Sequence, residues 1–206
     1  DMAAKERGAA LLAQLAATGV ALYEVSPTTL ERLADTQSPQ GILAVFHTPV
    51  WRVEQMGAGL VILLDGLQDP GNLGTIIRSL EAMGGAGLAI AGGVDPFNPK
   101  VVRSAMGSLF RLPLVKDEVA PLIDQLRAQG RTVYVADAGG SLTPWTADLK
   151  GSSVLVIGNE GAGPSETARQ MADAAISIPM PGPTESLNAG VAASLLIYEA
   201  MRQRMG

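Results

Sequence analysis

LVILLDGLQDPGNLGTIIR, residues 60–78, shows the clearest structural pattern in the sequence. It opens with a continuous apolar run over 60–64, which is typical of a strand buried on both faces of a parallel sheet. A polar, glycine-bearing turn follows, and a helix is then predicted from Asn72 to Met83, just before Gly84 and Gly85. A strand, a turn and a helix in this order indicate one unit of an α/β fold.

The same alternation continues to the end of the chain. Apolar and periodic runs predict strands at 88–91, 132–136, 154–157 and 175–178, and helices that open near Asn98 and Pro164 or span 118–129 and 186–204. Strands that alternate with helices in this way predict the α/β class, with a parallel sheet flanked by helices.

The first fifty residues follow a different pattern. The sequence predicts a helix over 3–18 with Gly19 as its C-cap, short strands at 20–25 and 42–46, and a small helix over 27–33. Thr48-Pro49 interrupts this pattern, and the polar, glycine-bearing run that follows predicts a linker up to Gly59. A chain that begins with Asp1 and has methionine second is expected to be a fragment.

The composition excludes several kinds of site. The 206 residues include no cysteine, so disulfides, thiolate metal sites and cysteine nucleophiles are impossible. The single histidine, His47, excludes histidine metal clusters and makes any Ser-His-Asp triad depend on that residue. No run approaches the ~18 apolar residues of a membrane span, and the N-terminus has no signal pattern. A soluble, cytoplasmic protein is therefore expected.

The distribution of charge is more informative than its sum. A formal net charge of -5 argues at first sight against a nucleic-acid partner. However, five basic residues and two acidic ones between positions 78 and 116 give a local charge of +3. The basic residues of this segment are Arg78, Lys100, Arg103, Arg111 and Lys116. With few aromatic residues, and those scattered, RNA recognition would depend on shape and phosphates rather than on an aromatic stacking platform.

Three glycine- or proline-rich turns follow predicted strands, where ligands bind in parallel sheets. We name them the first turn (65–78), the second turn (157–165) and the third turn (178–188). Taken alone, the first turn is explained by an Asn72 helix cap and a surface Arg78 as well as by a ligand site, of which a dinucleotide site is the obvious candidate. Its glycines do not fit the dinucleotide pattern G-x-G-x-x-G, and no P-loop lysine follows.

The other two turns are also ambiguous when each is taken alone. The second turn places Glu160 among glycines, which suits either a close ligand or a tight turn before a helix. The third turn has three prolines that fix an extended path, and Ser186 is predicted to cap the last helix, with Asn188 in its first turn. The ordered combination of the three turns is more specific than any one of them.

That combination resembles a known family. NLGTIIRS (72–79), IGNEGAG (157–163) and IPM…SLN (178–188) are similar to the three motifs of SpoU-type RNA 2′-O-ribose methyltransferases of the SPOUT superfamily. The resemblance covers residues 53–206 as the catalytic domain. QGILAV (40–45) resembles the end of the small ribosomal-protein-like domain that binds substrate RNA. Residues 1–52 are thus expected to be a partial α/β domain of that kind and a linker.

The resemblance implies a C-terminal trefoil knot, S-adenosyl-L-methionine as methyl donor, an rRNA or tRNA substrate, and a homodimeric active site without a metal. The implied catalytic residues are Asn72, Arg78, Glu160, Ser186 and Asn188. The implied cofactor-binding residues are Gly158, Asn159, Gly161, Ile178, Met180 and Leu187. Because an arginine stays protonated, we expect Arg78 to position phosphate and stabilise negative charge rather than act as a base.

One departure and two alternatives accompany this interpretation. Ala189-Gly190 stands where the family commonly has Val-Ser or Val-Ala, and a glycine inside a helix either weakens it or lets another helix pack closely. A nucleotide- or dinucleotide-dependent enzyme on a doubly wound sheet is the first alternative function. A non-catalytic RNA-binding protein of the same fold is the second.

Overall fold

A computed structural model describes residues 6–34, 36 and 39–206. The chain divides into an N-terminal unit, Asp1–Thr48, and a C-terminal unit, Pro49–Gly206. Each unit is described by itself. The start of the first predicted helix, residues 3–5, lies outside the described residues.

The described part of the N-terminal unit contains two helices, α1 (Glu6–Ala17) and α2 (Pro27–Leu33). Ser26 caps α2 by accepting a hydrogen bond from the Thr29 backbone N–H, and Pro27 fits the first helical position. The predicted strands at 20–25 and 42–46 are wrong, because both segments are irregular. An apolar, β-branched run becomes a strand only where a neighbouring strand offers a hydrogen-bonding edge, and these segments lie in no ladder of the described residues.

The C-terminal unit is built on a six-stranded parallel sheet with the order β3-β2-β1-β5-β4-β6. Its strands are β1 (Leu60–Asp65), β2 (Gly87–Ala91), β3 (Leu114–Lys116), β4 (Thr132–Ala136), β5 (Ser153–Ile157) and β6 (Ala174–Ile176). This confirms the predicted parallel sheet. Strand β3 was not predicted, because three residues are too few to show a period, and β6 ends two residues earlier than expected.

Five helices cover the sheet: α3 (Pro70–Ala82), α4 (Pro99–Ser104), α5 (Val119–Ala128), α6 (Glu166–Met171) and α7 (Ala189–Met205). Two of their starts differ from the prediction. Asp69 rather than Asn72 caps α3, since Pro70 already occupies the first helical position. Asn188 rather than Ser186 caps α7, because its side chain accepts the Val191 backbone N–H at 3.2 Å.

Two apolar layers hold this unit together, one on each face of the sheet. Strand β1 contributes to both layers, because successive side chains point to opposite faces. Leu60, Ile62 and Leu64 pack with residues of α3 and α7. Val61 and Leu63 pack with residues of α5 and α6 on the other face. Every residue of β1 is buried, as its continuous apolar run predicts.

Part of the predicted linker is ordered against the C-terminal unit. Val53 and Met56 are buried, with a short 3₁₀ helix at Val53–Gln55. The buried Arg131 guanidinium donates hydrogen bonds to the backbone carbonyls of Gly57 (2.5 Å) and Gly59 (2.6 Å). These contacts fix the path of the chain into β1. Within the described residues, no helix is both long and apolar enough to cross a membrane.

The strand order places β1 and β5 side by side at the centre of the sheet. From β1 the chain adds β2 and β3 on one side, whereas β5, β4 and β6 lie on the other. The order therefore reverses between β1 and β5, and the carboxyl ends of strands at such a switch point form a ligand-binding crevice. The first and second turns leave the sheet at this point.

Candidate functional site

Glu160 connects the second turn to the first. One of its carboxylate oxygens accepts a hydrogen bond from the Gln68 backbone N–H at 3.1 Å, and the other accepts from the Asp69 backbone N–H at 3.0 Å. These donors lie in the loop between β1 and α3. A carboxylate placed there binds backbone N–H groups that the helix start leaves without partners. Glu160 therefore holds the loop that leads into α3.

Asn72 joins all three turns. Its side-chain amide donates to Oε1 of Glu160 at 3.0 Å, and its carbonyl oxygen accepts from Nδ2 of Asn188 at 2.8 Å. We call Glu160, Asn72 and Asn188 the three-turn network. Asn72 is buried, with only 8% of its surface exposed, so both hydrogen bonds are partly shielded from water. The amide orientation follows from these partners, because Glu160 only accepts when ionised.

The second turn has a shape that requires glycine. A Cβ at Gly158 would overlap the backbone of Gly163 and Pro164, because the chain turns back on itself there. Asn159 and Gly163 exchange two backbone hydrogen bonds of 3.0 and 2.9 Å. The Asn159 side chain accepts from the Gly161 backbone N–H at 2.9 Å and donates to the Gly66 carbonyl at 3.0 Å. Asn159 thus shapes the second turn and attaches it to the first.

The third turn has no regular secondary structure before α7 begins at Ala189. Ile178 and Met180 are half-buried, and Leu187 is exposed. Apolar side chains that remain partly uncovered offer a surface for a flat, apolar ligand group. Of the six residues expected to bind cofactor, Gly158 and Asn159 have a structural role in the second turn: Gly158 allows its close path, and the Asn159 side chain fixes its shape.

Gly190 accounts for the departure from the family pattern. It is buried, and a Cβ there would lie 3.3 Å from Oδ1 of Asn72 and 3.4 Å from its Cα. The glycine thus allows α7 to approach α3 closely at the residue that joins the three turns. The Ser79 and Ser194 hydroxyls, 2.9 Å apart, continue this close contact about two turns further along α3 and about one turn further along α7.

Arg78 and Ser186 are not part of the three-turn network. Both are exposed, and no hydrogen bond or ion pair to either side chain is found among the described residues. The structure thus brings together three of the five expected catalytic residues and leaves these two side chains accessible to a ligand.

The environment of Glu160 keeps it ionised. Burial acts to raise the pKa of this carboxyl, but hydrogen bonds from Asn72, Asp69 and Gln68 outweigh burial and lower the pKa below its usual value. A carboxylate with several donors is therefore present at neutral pH. Its oxygens are engaged by N–H groups, which suits a structural and orienting role better than proton transfer.

Sequence reasoning did not identify two acidic residues at this crevice. Asp65 ends β1, is buried, and accepts the Ser165 backbone N–H at 2.6 Å. Asp69 caps α3 by accepting the Asn72 backbone N–H at 2.8 Å. An acid at the carboxyl end of an apolar strand, and an acid directly before proline, were the signals that could have located them. No group of three or more potential metal ligands occurs within the described ranges.

Comparison with known proteins identifies the family. The family model for the SpoU rRNA methylase family matches residues 59–198, and the model for the RNA 2′-O ribose methyltransferase substrate-binding domain matches residues 2–50. The first match covers all three turns and the three-turn network. The expected SpoU-type resemblance is therefore confirmed.

Two curated relatives are similar over most of this chain. The 23S rRNA (guanosine(2553)-2′-O)-methyltransferase of Bacillus subtilis is 37% identical over 182 residues, which are 88% of this chain and 73% of the relative. The 23S rRNA (uridine(2479)-2′-O)-methyltransferase of Streptomyces viridochromogenes is 38% identical over 88% of this chain and 67% of the relative.

Solved structures agree with the fold. The SpoU methyltransferase AviRb from Streptomyces viridochromogenes, in complex with the cofactor AdoMet, matches 94% of this chain and 78% of its own at a TM-score of 0.83 and 35% identity. An AdoMet-bound rRNA methyltransferase from Sinorhizobium meliloti matches 94% of this chain and 76% of its own at a TM-score of 0.81 and 32% identity. The chain belongs to the SpoU rRNA methylase family of RNA 2′-O-ribose methyltransferases.

Proposed function

We propose that the protein transfers the methyl group of S-adenosyl-L-methionine to a ribose 2′-hydroxyl of rRNA or tRNA. The observation that carries this proposal is the three-turn network, which links the three motif segments of the family at the switch point of a parallel sheet. When bound, the cofactor supplies an electrophilic methyl group on a sulfonium. The chain's own residues must hold the two reactants in line and accommodate the negative charge that develops on the 2′-oxygen.

The residues that the resemblance implies for the cofactor fit such a group. Gly158 and Gly161 leave the second turn without side chains that would block a close approach to its backbone. Ile178, Met180 and Leu187 supply incompletely covered apolar surface of the kind that packs against an adenosine. We propose these residues, together with Asn159 as the residue that shapes the turn, as the cofactor site.

The polar residues divide into two groups with different roles. Asn72, Glu160 and Asn188 are engaged with one another and hold the three turns in register. Arg78 and Ser186 are exposed and therefore able to contact RNA. We propose that the Arg78 guanidinium binds phosphate and stabilises negative charge on the 2′-oxygen, since it cannot act as a base at neutral pH. Ser186 would orient a hydroxyl or phosphate at the same site.

An exposed apolar stripe on α7 supports a homodimer. Val191, Leu195 and Tyr198 recur at helical spacing and are 47%, 48% and 53% exposed. A stripe of this kind on a helix whose other side packs on α3 favours burial against a second copy. The stripe starts one turn after Asn188, so a second copy placed there would lie beside the crevice. The trefoil knot that the resemblance implies stays a prediction.

We further propose that residues 1–52 form a partial substrate-binding domain with a linker, and that residues 53–206 form the catalytic domain. The substrate-binding family match over residues 2–50 supports the first part. Ribosomal and transfer RNAs as substrates favour a cytoplasmic location.

Two experiments test the proposal. Methyl transfer from labelled S-adenosyl-L-methionine to total RNA, followed by mapping, is expected to give a single 2′-O-methylated nucleotide. Thermal unfolding with S-adenosyl-L-methionine or NAD is expected to show stabilisation by the methyl donor alone. Stabilisation by NAD alone would favour a dinucleotide-dependent enzyme, and cofactor binding without methylation of any rRNA or tRNA would favour a non-catalytic RNA-binding protein.

A further inference from the structure

Residues 99–111, which we call the α4 face, have an unusual composition on their outer side. The exposed side chains of this segment beyond Pro99 are Lys100, Arg103, Met106, Phe110 and Arg111. Three of them are basic and two are large and apolar, and the segment contains no acidic residue. Basic side chains that alternate with apolar ones suit a polyanion with flat apolar groups, which is the chemistry of single-stranded RNA.

Met106 is the feature of the α4 face that packing does not explain. Its side chain is 68% exposed, and its backbone φ is +50°. Met106 is the one non-glycine residue with positive φ in the described part of the chain. A left-handed backbone is strained for a methionine, and strain of this kind persists where the surrounding structure enforces it. Here the chain buries Ala105 and Ser108 on either side and turns Met106 outward.

The contacts of the α4 face with α3 indicate the level of Met106 along that helix. Gly74 abuts Ser104, because a Cβ at Gly74 would overlap the Ser104 side chain. Further along α3, Glu81 accepts hydrogen bonds from the Ser108 hydroxyl at 3.2 Å and from Arg111 Nε at 2.7 Å.

Positions 74, 78 and 81 lie on one stripe of the helix. Met106, midway between Ser104 and Ser108, therefore lies along α3 at the level of Arg78.

On the α4 face, Lys100 is an available partner for an anionic ligand, whereas Arg111 is already paired. Glu81 engages Arg111, and Asp95 lies 3.6 Å from Lys116 just beyond the face. No ion pair or side-chain hydrogen bond to Lys100 is found among the described residues. Its position in the first turn of α4 is unfavourable for a cation, because helix N-termini carry partial positive charge.

We propose that the α4 face binds the RNA strand next to the target nucleotide, with Met106 packed against a base and Lys100 on a phosphate. This inference rests on the proposed function, because it places the strand beside Arg78. It makes Met106 a positioning residue, which holds the target ribose in place through the neighbouring base. A second copy of this chain is the competing occupant. In a twofold dimer built on this face the two α4 faces would meet each other, and their like basic charges would repel.

The test uses two substitutions of Met106 that distinguish the effect of its side chain from the effect of its backbone conformation. Met106→Asn keeps a residue that tolerates positive φ and removes the apolar side chain, whereas Met106→Leu keeps the apolar character. Lys100→Ala removes the proposed phosphate contact, and Lys150→Ala is the matched control at another exposed lysine. The full chain is titrated with a fluorescent, mixed-sequence single-stranded RNA 12-mer at several salt concentrations.

We expect Met106→Asn to weaken RNA binding about tenfold, as for the loss of one base contact, without changing its salt dependence. Met106→Leu should bind within about twofold of the unsubstituted chain. Lys100→Ala should reduce the slope of log affinity against log salt by about one unit, which corresponds to one phosphate contact. Lys150→Ala should leave the slope unchanged. Unaltered binding by Met106→Asn, equal losses in Lys150→Ala, or no RNA binding by the unsubstituted chain overturns the proposal.

Two further readouts distinguish this inference from the proposed function and from dimerisation. Binding of S-adenosyl-L-methionine should be the same in all four variants, because the α4 face is not part of the cofactor site. RNA methylation with unaltered 12-mer binding by Met106→Asn would refute RNA binding at the α4 face but would agree with the proposed methyltransferase function. The expected losses of RNA binding, in a chain that methylates no RNA, would support RNA binding at the α4 face and refute the proposed methyltransferase function. Dissociation of a dimer by Met106→Asn with unaltered RNA binding would assign the face to a second copy and overturn the proposal.

Discussion

The side-chain amide of Asn72 donates a 3.0 Å hydrogen bond to the carboxylate of Glu160, across a separation of 88 residues. The same asparagine accepts from Asn188, 116 residues away. Removing one partner from a buried hydrogen bond leaves the other without a partner, which costs more than the bond itself contributes. The second and third turns and the start of α3 therefore depend on one another through Asn72.

Asn72→Asp should destabilise the protein, because a second carboxylate would face Glu160 and could not donate to it. We expect the free energy of unfolding to fall by about 1–3 kcal/mol, the range for a buried polar group that loses its partner. Urea titration at pH 7 measures the change. Asn98→Asp is the matched control: Asn98 also caps a helix, and aspartate caps equally well. A loss of equal size in both variants would contradict the role given to Asn72.

Glu160→Gln should change how stability depends on pH. Because the folded pKa of Glu160 lies below the unfolded value, its carboxylate stabilises the fold fully above that unfolded value of 4.5. The stabilisation is lost as the pH falls through the folded pKa. The melting temperature of Glu160→Gln should therefore be lower than that of the unsubstituted chain at pH 7, and the two should converge as the pH falls below 4.5 and through the folded pKa.

The exposed Glu118 provides the control for this comparison, because it makes no side-chain cap on α5. Melting curves of Glu118→Gln should follow those of the unsubstituted chain at every pH. A constant difference between Glu160→Gln and the unsubstituted chain from pH 3 to pH 7 would argue against the ionised carboxylate as the source of the stabilisation.

Gly158→Ala should disrupt the second turn. The added Cβ would overlap backbone atoms of Gly163 and Pro164, which cannot move aside as a flexible side chain can. We expect a loss of stability of about 3 kcal/mol or more, together with loss of S-adenosyl-L-methionine binding. Gly151→Ala is the control, since a Cβ there has no neighbour within 4 Å. Calorimetric titration with the methyl donor measures both variants, and normal binding by Gly158→Ala would refute the predicted cofactor site.

Arg78→Lys should affect the chemical step and leave the fold intact. The side chain is exposed and engages no described residue, so the melting temperature and cofactor affinity should not change. Loss of a bidentate donor to developing charge should slow single-turnover methylation about 100-fold. Arg127→Lys, on α5 across the sheet, should methylate at the normal rate. Near-normal chemistry by Arg78→Lys would count against a bidentate role and against a role as base.

Patterns in the sequence predicted the structure correctly where a local run of residues is compatible with one kind of element. The apolar run 60–64 is a fully buried strand, and the alternation of strands and helices gives a parallel sheet. The same reasoning failed for residues 20–25 and 42–46, because a strand also needs a partner that its own sequence cannot specify. Helix caps were misplaced by two or three residues at α3 and α7, where more than one capping side chain was available.

The sequence by itself determined the fold class, the ordered motifs and the kinds of chemistry that the absence of cysteine and the single histidine exclude. Only the tertiary structure decided that β5 inserts beside β1, which brings Glu160 to Asn72, and that α7 packs on α3 closely enough at Gly190 for Asn188 to reach Asn72. The physical reason is that local patterns follow from neighbours a few residues apart. Hydrogen bonds across 88 and 116 residues depend on strand order and helix packing, which no local pattern encodes.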